Sequence, residues 1–132
     1  MSLWYLDTSA ALKVLLDEPE SAALIRALDG RPDGVRLIGT LLLETELRRA
    51  AQRRAALSQA LVSEFLGAIS LYAVDDAMFR EAGLLQGEHL RSLDALHLVG
   101  AIRAGVDAVV TYDHRLRDAA EALGFSVVAP RG

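Results

Sequence analysis

Two aspartates each stand at the end of a short apolar segment, where a carboxylate can take part in chemistry. Asp7 follows LWYL and Asp113 follows AVVTY, and both segments indicate buried β-strands. Acids at the carboxyl ends of parallel strands lie at the edge of the sheet where open α/β proteins bind ligands. Each aspartate could instead cap the helix that follows it. For one aspartate taken alone, that structural interpretation is the simpler one.

A glutamate on an apolar helix face is the third candidate. In TLLLETELRRAAQRRAAL, Glu44 and Glu46 are two residues apart and therefore lie roughly 200° apart on a helix. Glu46 falls among the apolar residues, whereas Glu44 points almost the opposite way and is expected to be a solvated charge. Glu46 therefore needs either a function or a partner such as Arg49 or Arg53.

A fourth acid stands in the first turn of another expected helix. In SLDALHLVGAI, Ser92 is the expected N-cap and Asp94 borders the apolar arc of the helix. An acid in a first turn also interacts favourably with the helix dipole, which explains it structurally when it is taken alone. His97 is displaced from Asp94 on the helix and is interpreted as a half-buried helix residue rather than a ligand.

Taken together, the four acids indicate a site for a divalent cation. Carboxylates gathered in one place repel one another, and their pKa values rise unless a cation holds them. A cluster of oxygen ligands without cysteine or histidine suits Mg²⁺ or Mn²⁺, and the chain has no cysteine. The candidate ligands are Asp7, Glu46, Asp94 and Asp113.

The elements that must position these acids alternate along the chain. The apolar pattern and the turn residues predict strands near 3–6, 35–38, 71–74, 108–112 and 125–129. They predict helices near 9–16, 19–28, 40–57, 59–68, 76–86, 92–104 and 116–123. Apolar strands that alternate with helices predict an α/β fold, a three-layer α/β/α domain with a parallel sheet covered on both faces.

Length and composition restrict the class of protein. With 132 residues, 52% of them hydrophobic, the chain is expected to be one domain with its own core. No apolar run approaches the roughly eighteen residues of a membrane span, and the N-terminus lacks a signal-peptide pattern. We therefore expect a cytoplasmic protein with no membrane partner. The net charge of −4 does not indicate a nucleic-acid binder, although four arginines cluster between residues 48 and 54.

The acidic segments resemble the PIN-domain ribonucleases, in particular the VapC-like toxins of bacterial toxin–antitoxin pairs. The matching segments are YLDTSAALKVLLDEP, ETELRRA, SLDALHLVGAI and VVTYDHRLRDAAEALGFSVVAP, and together they extend over the whole chain. The resemblance implies a sheet ordered 3-2-1-4-5, with the strands before Asp7 and Asp113 side by side. It also implies that residues 1–132 form one PIN-like nuclease domain.

The resemblance implies a function for the acids as well. The three aspartates would hold one or two Mg²⁺ or Mn²⁺ ions, and Glu46 would bind directly or through water. Thr8 or Ser9, together with Thr111, would supply supporting hydroxyl groups. The cation would activate water for attack on an RNA phosphodiester, which makes the chain a metal-dependent endoribonuclease.

The expected partners are RNA, an antitoxin and a second copy of the chain. Arg49 and Arg53 lie near Glu46 on the helical wheel and are expected to neutralise RNA phosphates. The VapB-like antitoxin and the homodimer are implied by the resemblance alone.

Other functions stay open from the sequence. A PIN-type nuclease that processes RNA without being a toxin would have the same acids. A phosphoacceptor receiver domain also combines a parallel sheet, clustered aspartates and Mg²⁺, but it needs a lysine late in the chain, and Lys13 is the only lysine. A binding protein with a degenerate site is disfavoured because all four acids are present.

Overall fold

The computed structural model describes residues 2–132, which form five strands and seven helices. The strands are β1 (Ser2–Leu6), β2 (Val35–Thr40), β3 (Ser70–Tyr72), β4 (Ala108–Val110) and β5 (Ser126–Val128). The helices are α1 (Thr8–Leu15), α2 (Ser21–Asp29), α3 (Leu41–Arg53), α4 (Gln59–Gly67), α5 (Asp76–Leu84), α6 (Ser92–Ala104) and α7 (His114–Ala122). Met1 lies outside the described residues. None of the helices between residues 2 and 132 is both long and apolar enough to cross a membrane.

The five strands are parallel and lie in the order β3-β2-β1-β4-β5, which confirms the predicted sheet. In the central strand, Tyr5 pairs with Ile38 of β2 on one side and with Val109 of β4 on the other. The strand order reverses between β1 and β4, so the sheet has its switch point there. In open α/β sheets this is the place where ligands bind, beyond the carboxyl ends of the strands.

Helices cover both faces of the sheet, as the apolar strands predicted. Tyr5 packs in a core cluster with Leu98 of α6 and Leu116 of α7. Leu6 packs in another cluster with Ala10 of α1 and with residues of α2. Successive strand residues point to opposite faces, so these clusters lie on opposite sides of the sheet and the fold has three layers.

Several helix boundaries differ from the sequence prediction by one to four residues, and two of them affect how the site is described. Helix α6 has Arg91 rather than Ser92 at its N-cap, and a side-chain oxygen of Asp94 accepts from the Arg91 N–H at 3.4 Å. Helix α3 ends at Arg53 because the chain becomes extended at the next residue. Leu57 is buried, as the predicted longer helix would have it, but it reaches the core from the turn beyond the helix.

Gly100 lets α6 lie close to the central strands. A Cβ at this position would meet Thr40 Cγ2 at 2.6 Å and the Tyr5 ring at 3.5 Å. Both neighbours are buried, so the structure cannot make room by moving a flexible side chain into solvent. Glycine at this position therefore determines how closely α6, which carries Asp94, approaches the sheet.

We expect Gly100→Ala to lower the free energy of unfolding by about 2 kcal/mol, because an extra methyl group overpacks a closed core. Gly83→Ala in α5 is the matched control, since nothing lies within 4 Å of the added Cβ. Alanine there should stabilise the helix by up to about 1 kcal/mol. Urea denaturation measures both variants, and equal effects of the two substitutions would contradict the packing argument.

Candidate active site

Asp7 is the buried acid at the end of the central strand, with 4% of its surface exposed. Its Oδ1 accepts hydrogen bonds from the Ala10 N–H at 3.0 Å and from Ser9 Oγ at 2.7 Å. Its Oδ2 accepts from Thr111 Oγ1 at 2.6 Å. Burial raises the pKa of Asp7, and the three hydrogen bonds offset this only in part. Asp7 thus caps α1, as its structural interpretation required, and is also a desolvated carboxylate at the switch point.

The hydroxyl residues named by the resemblance are divided between two acids. Ser9 and Thr111 both donate to Asp7, and Thr111 Oγ1 also accepts from the Asp113 N–H at 3.0 Å. Thr8 instead donates from Oγ1 to Glu46 Oε1 at 2.7 Å. The hydroxyl groups therefore tie the end of β1 to the end of β4 on one side and to α3 on the other.

Glu46 faces the acid-bearing end of the sheet, whereas Glu44 does not. Glu46 Oε1 contacts Thr8 and also lies 2.5 Å from His97 Nε2. Glu44 pairs with Arg48 at 3.1 Å, and 41% of its side chain is exposed. These contacts agree with the opposite positions of the two glutamates on the helical wheel.

His97 is the polar residue of the site that sequence reasoning missed. It is buried, with 3% of its surface exposed, rather than half-buried. Its Nδ1 forms a 2.6 Å hydrogen bond with the Tyr5 hydroxyl, which lies 3.4 Å from Thr40 Oγ1. Residues 95–101 are buried without a break, and an imidazole inside such a run needs partners for both nitrogens. A histidine within an otherwise apolar segment was the sequence signal that could have indicated a functional role for His97, or a role in connecting other polar groups.

His97 also stabilises the ionised form of Glu46. Burial alone would raise the pKa of Glu46, but the hydrogen bond and the charge interaction with His97, followed by the Thr8 bond, hold it below its ordinary value. The carboxylate is therefore ionised at neutral pH, and His97 Nε2 must be the donor because an ionised carboxylate has no proton to give.

The remaining two acids lie near each other and near one arginine. Arg115 Nε is 3.9 Å from Asp94 Oδ2, and Arg115 Nη2 is 4.0 Å from Asp113 Oδ2. Asp113 Oδ1 caps α7 by accepting from the N–H groups of Arg115 and Leu116 at 2.8 and 3.4 Å. Burial raises the pKa of Asp94, and the neighbouring charge of Asp113 raises it further. One oxygen of Asp113 thus caps a helix, while the other faces the guanidinium of Arg115.

The four acids lie around one region but do not form a complete set of metal ligands. His97 interacts electrostatically with Asp7, Glu46 and Asp94, so these three belong to one neighbourhood. Within residues 2–132, however, no three carboxylate or imidazole groups lie close enough together to hold a metal ion as they stand. Glu46 is engaged with His97, and Asp94 and Asp113 lie against Arg115, so these three carboxylates would have to turn toward a cation shared with Asp7.

The chemistry of these donors nevertheless fits a divalent cation. The hydrogen bonds that Asp7 accepts come from neutral groups, so its buried charge has no hydrogen-bonded cation among the described residues. The neighbouring charge of Asp113 makes the charged form of Asp94 less favourable. A divalent cation would relieve both conditions, and carboxylate oxygens are the ligands that Mg²⁺ prefers.

The two arginines predicted to contact RNA lie exposed on α3. Arg49 and Arg53 take part in none of the ion pairs within the described part of the chain, whereas Arg48 and Arg54 each pair with a glutamate. The structural alternative, that Arg49 neutralises Glu46, does not occur, because Glu46 contacts Thr8 and His97 instead. Arg49 and Arg53 are therefore available for a ligand.

Known proteins resemble this chain over nearly its whole length. The PIN domain family profile matches residues 4–122. Ribonuclease VapC35 of Mycobacterium tuberculosis H37Rv is 41% identical over 130 residues, which are 96% of this chain and 96% of the relative. Ribonuclease VapC46 of the same strain is 40% identical over 132 residues, covering 98% of this chain and 99% of the relative.

Solved structures agree on the fold. The VapC20 toxin of M. tuberculosis superposes with a TM-score of 0.69 at 18% identity, covering 96% of this chain and 99% of that one. A toxin–antitoxin complex from Klebsiella pneumoniae contains a chain with a TM-score of 0.69 at 17% identity, with 98% of both chains covered. At these identities the likeness concerns the fold alone. Together with the sequence relatives, it shows that this chain belongs to the PIN-domain ribonucleases of the VapC toxin type. Ribonucleases of this family are in general metal-dependent.

Proposed function

We propose that this chain is a metal-dependent endoribonuclease whose Mg²⁺ or Mn²⁺ is held by Asp7, Asp94 and Asp113, with Glu46 binding directly or through water. The observation that carries the proposal is Asp7, a buried carboxylate at the switch point that receives hydrogen bonds from neutral groups. An uncompensated buried charge is unfavourable for folding, and a cation-binding function explains why an acid stands there.

The residues around the acids have separable functions. When bound, the cation supplies an activated water and stabilises the charge that develops during phosphodiester cleavage. Glu46 is ionised and oriented by His97 and Thr8, so it can orient a water molecule or accept its proton. Ser9 and Thr111 fix both oxygens of Asp7, which keeps that carboxylate in one orientation.

A purified sample with a mixed pool of RNAs tests this function. We expect the protein to cut RNA internally in the presence of Mn²⁺ and not in the presence of EDTA. Mapping the new RNA ends should give the sequence preference of the enzyme. Asp7→Asn serves as the control for a contaminating nuclease. Cleavage that continues in EDTA, or that is unchanged in Asp7→Asn, would exclude metal-dependent chemistry at this site.

A divalent cation should also stabilise the fold. We expect millimolar Mn²⁺ to raise the melting temperature by several degrees, because a ligand that binds only the folded state stabilises it by mass action. Asp94→Asn should reduce this increase. Asp118→Asn is the matched control, since its side chain is 67% exposed on α7 and should leave the increase unchanged. An equal response of both variants would place the cation elsewhere.

The exposed arginines of α3 should bind the RNA backbone. We expect Arg53→Ala to reduce the salt dependence of RNA binding by about one unit of slope on logarithmic axes, because one phosphate contact is lost. Arg54→Ala is the control, because Arg54 lies 3.8 Å from Glu18 and should affect the slope less. Binding is measured with Ca²⁺, assumed to support binding without cleavage. Identical slopes for wild type and both variants would show that Arg53 makes no contact with the RNA backbone.

The proposed partners are a VapB-like antitoxin and a second copy of the chain. Related folds come from VapBC2 of Rickettsia felis bound to a promoter DNA fragment and from FitAB bound to a DNA fragment, at TM-scores of 0.69 and 0.67. Exposed apolar side chains such as Leu41 and Leu61 offer surface for such contacts. We propose that residues 1–132 act as one nuclease domain, as a homodimer, in the cytoplasm.

A further inference from the structure

Arg115 lies against two of the proposed ligands, but no hydrogen bond holds its guanidinium there. Its nitrogens are 3.9 Å from Asp94 Oδ2 and 4.0 Å from Asp113 Oδ2. Both separations are too long for hydrogen bonds and short enough for charge attraction. The guanidinium is therefore placed by the charges of the two carboxylates and is not locked in a fixed geometry.

A second observation shows that this arrangement is incomplete. Arg115 Nε is buried and has no hydrogen-bond partner among residues 2–132. A buried donor without an acceptor is unfavourable, which distinguishes this contact from a structural salt bridge. The side chain is 31% exposed and also borders a cavity of about 600 Å³ lined by residues 86–90 and part of α7. The guanidinium therefore has space into which it can move.

We propose that Arg115 is an internal counter-cation for Asp94 and Asp113 that a divalent cation must displace. This inference rests on the proposed metal-dependent function. Without a divalent cation, the guanidinium offsets the repulsion between the two carboxylates. Once a divalent cation is bound, it supplies that charge itself, and the like charges drive Arg115 toward the cavity. Arg115 is thus a positioning residue that weakens cation binding and keeps the two carboxylates stable at low metal concentration.

The inference predicts that removing an active-site arginine tightens metal binding. Arg115→Gln should bind Mn²⁺ about tenfold more tightly than the wild type, a coupling within the usual range for two linked sites. Arg115→Lys keeps the charge and should stay within about twofold of the wild type. Arg117→Gln is the matched control on the same helix, because Arg117 pairs with the exposed Asp118 and should leave the affinity unchanged.

Calorimetric titration of Mn²⁺ into the full chain, stripped of metal, measures these affinities without relying on cleavage. Tighter binding by Arg115→Gln, with Arg117→Gln unchanged, supports the inference. Unchanged or weaker binding by Arg115→Gln, in a wild type that binds Mn²⁺, overturns the inference and leaves the proposed function standing. No binding by the wild type or any variant overturns both. A purely structural function for Arg115 would lower the melting temperature equally with and without Mn²⁺.

A measurement on the wild type keeps the test independent of whether Arg115→Gln folds. The side-chain Nε–H signal of Arg115 is followed by NMR during titration with diamagnetic Mg²⁺. We expect this signal to shift with saturation of the site while the Arg117 signal stays in place. An Arg115 signal that does not respond to Mg²⁺ at saturation would show that the guanidinium is not displaced.

Discussion

Replacing Asp7 with asparagine is expected to reduce RNA cleavage by about a thousandfold while the fold persists. Asparagine keeps the shape of the side chain and an oxygen acceptor for the Ala10 N–H, which caps α1. It loses the negative charge that a divalent cation needs at the switch point. Initial cleavage rates with Mn²⁺, measured against wild type, give the effect, and far-UV circular dichroism shows that the variant is folded. A loss of cleavage rate of less than tenfold would show that Asp7 is not needed for catalysis.

The same variant should be more stable than the wild type when no metal is present. Burial raises the pKa of Asp7 above its ordinary value of 3.8. The stability linked to this group is complete below that ordinary value and is lost as the pH rises toward the raised pKa, because the folded state disfavours the charged form. At pH 7, a neutral asparagine avoids this loss. Thermal denaturation in EDTA should show a melting temperature several degrees higher, and a lower one would mean that the hydrogen bonds to Asp7 outweigh its burial.

The second large effect separates the two glutamates of α3. Glu46→Gln should reduce cleavage by about a hundredfold, because a glutamine bonded to His97 and Thr8 cannot accept a proton or supply charge. Glu44→Gln is the matched control two residues away, and it should stay within about twofold of wild type because Glu44 pairs with Arg48 at the surface.

The melting temperature of both glutamine variants distinguishes catalysis from folding. Glu46→Gln also removes the charge from the partly buried contact with His97, so some loss of stability is expected. Rates are therefore compared at a temperature where all samples are folded. Equal losses of activity in the two variants would contradict the assignment of Glu46 to the site.

Local periodicity explains why part of the site was predictable from sequence. Asp7 follows β1 directly and Asp113 stands three residues after β4, and the carboxyl end of a strand is fixed once the strand is recognised. Glu44 and Glu46 were separated because a helix places residues two apart on opposite sides. The order of the strands, in contrast, followed from the resemblance, since periodicity does not show which strands are neighbours.

The contacts that complete the site depend on tertiary packing. His97 and Glu46 are 51 positions apart in sequence, and no local pattern connects them. Helix α6 is buried on all sides over residues 95–101, so a helical wheel with one apolar arc does not show that His97 is fully buried. Arg115 follows Asp113 by two residues in the sequence, but its approach to Asp94 depends on how α7 packs beside α6.

The central claim is that Asp7, Asp94 and Asp113 bind one divalent cation together, and anomalous diffraction from crystals grown with Mn²⁺ tests it most directly. We predict an anomalous peak about 2 Å from an oxygen of Asp7 and from an oxygen of Asp94 or Asp113. The peak should be absent from crystals of Asp7→Asn. A peak bound by other residues, or no peak at saturating Mn²⁺ in crystals whose RNA-cleaving activity is intact, would contradict the account.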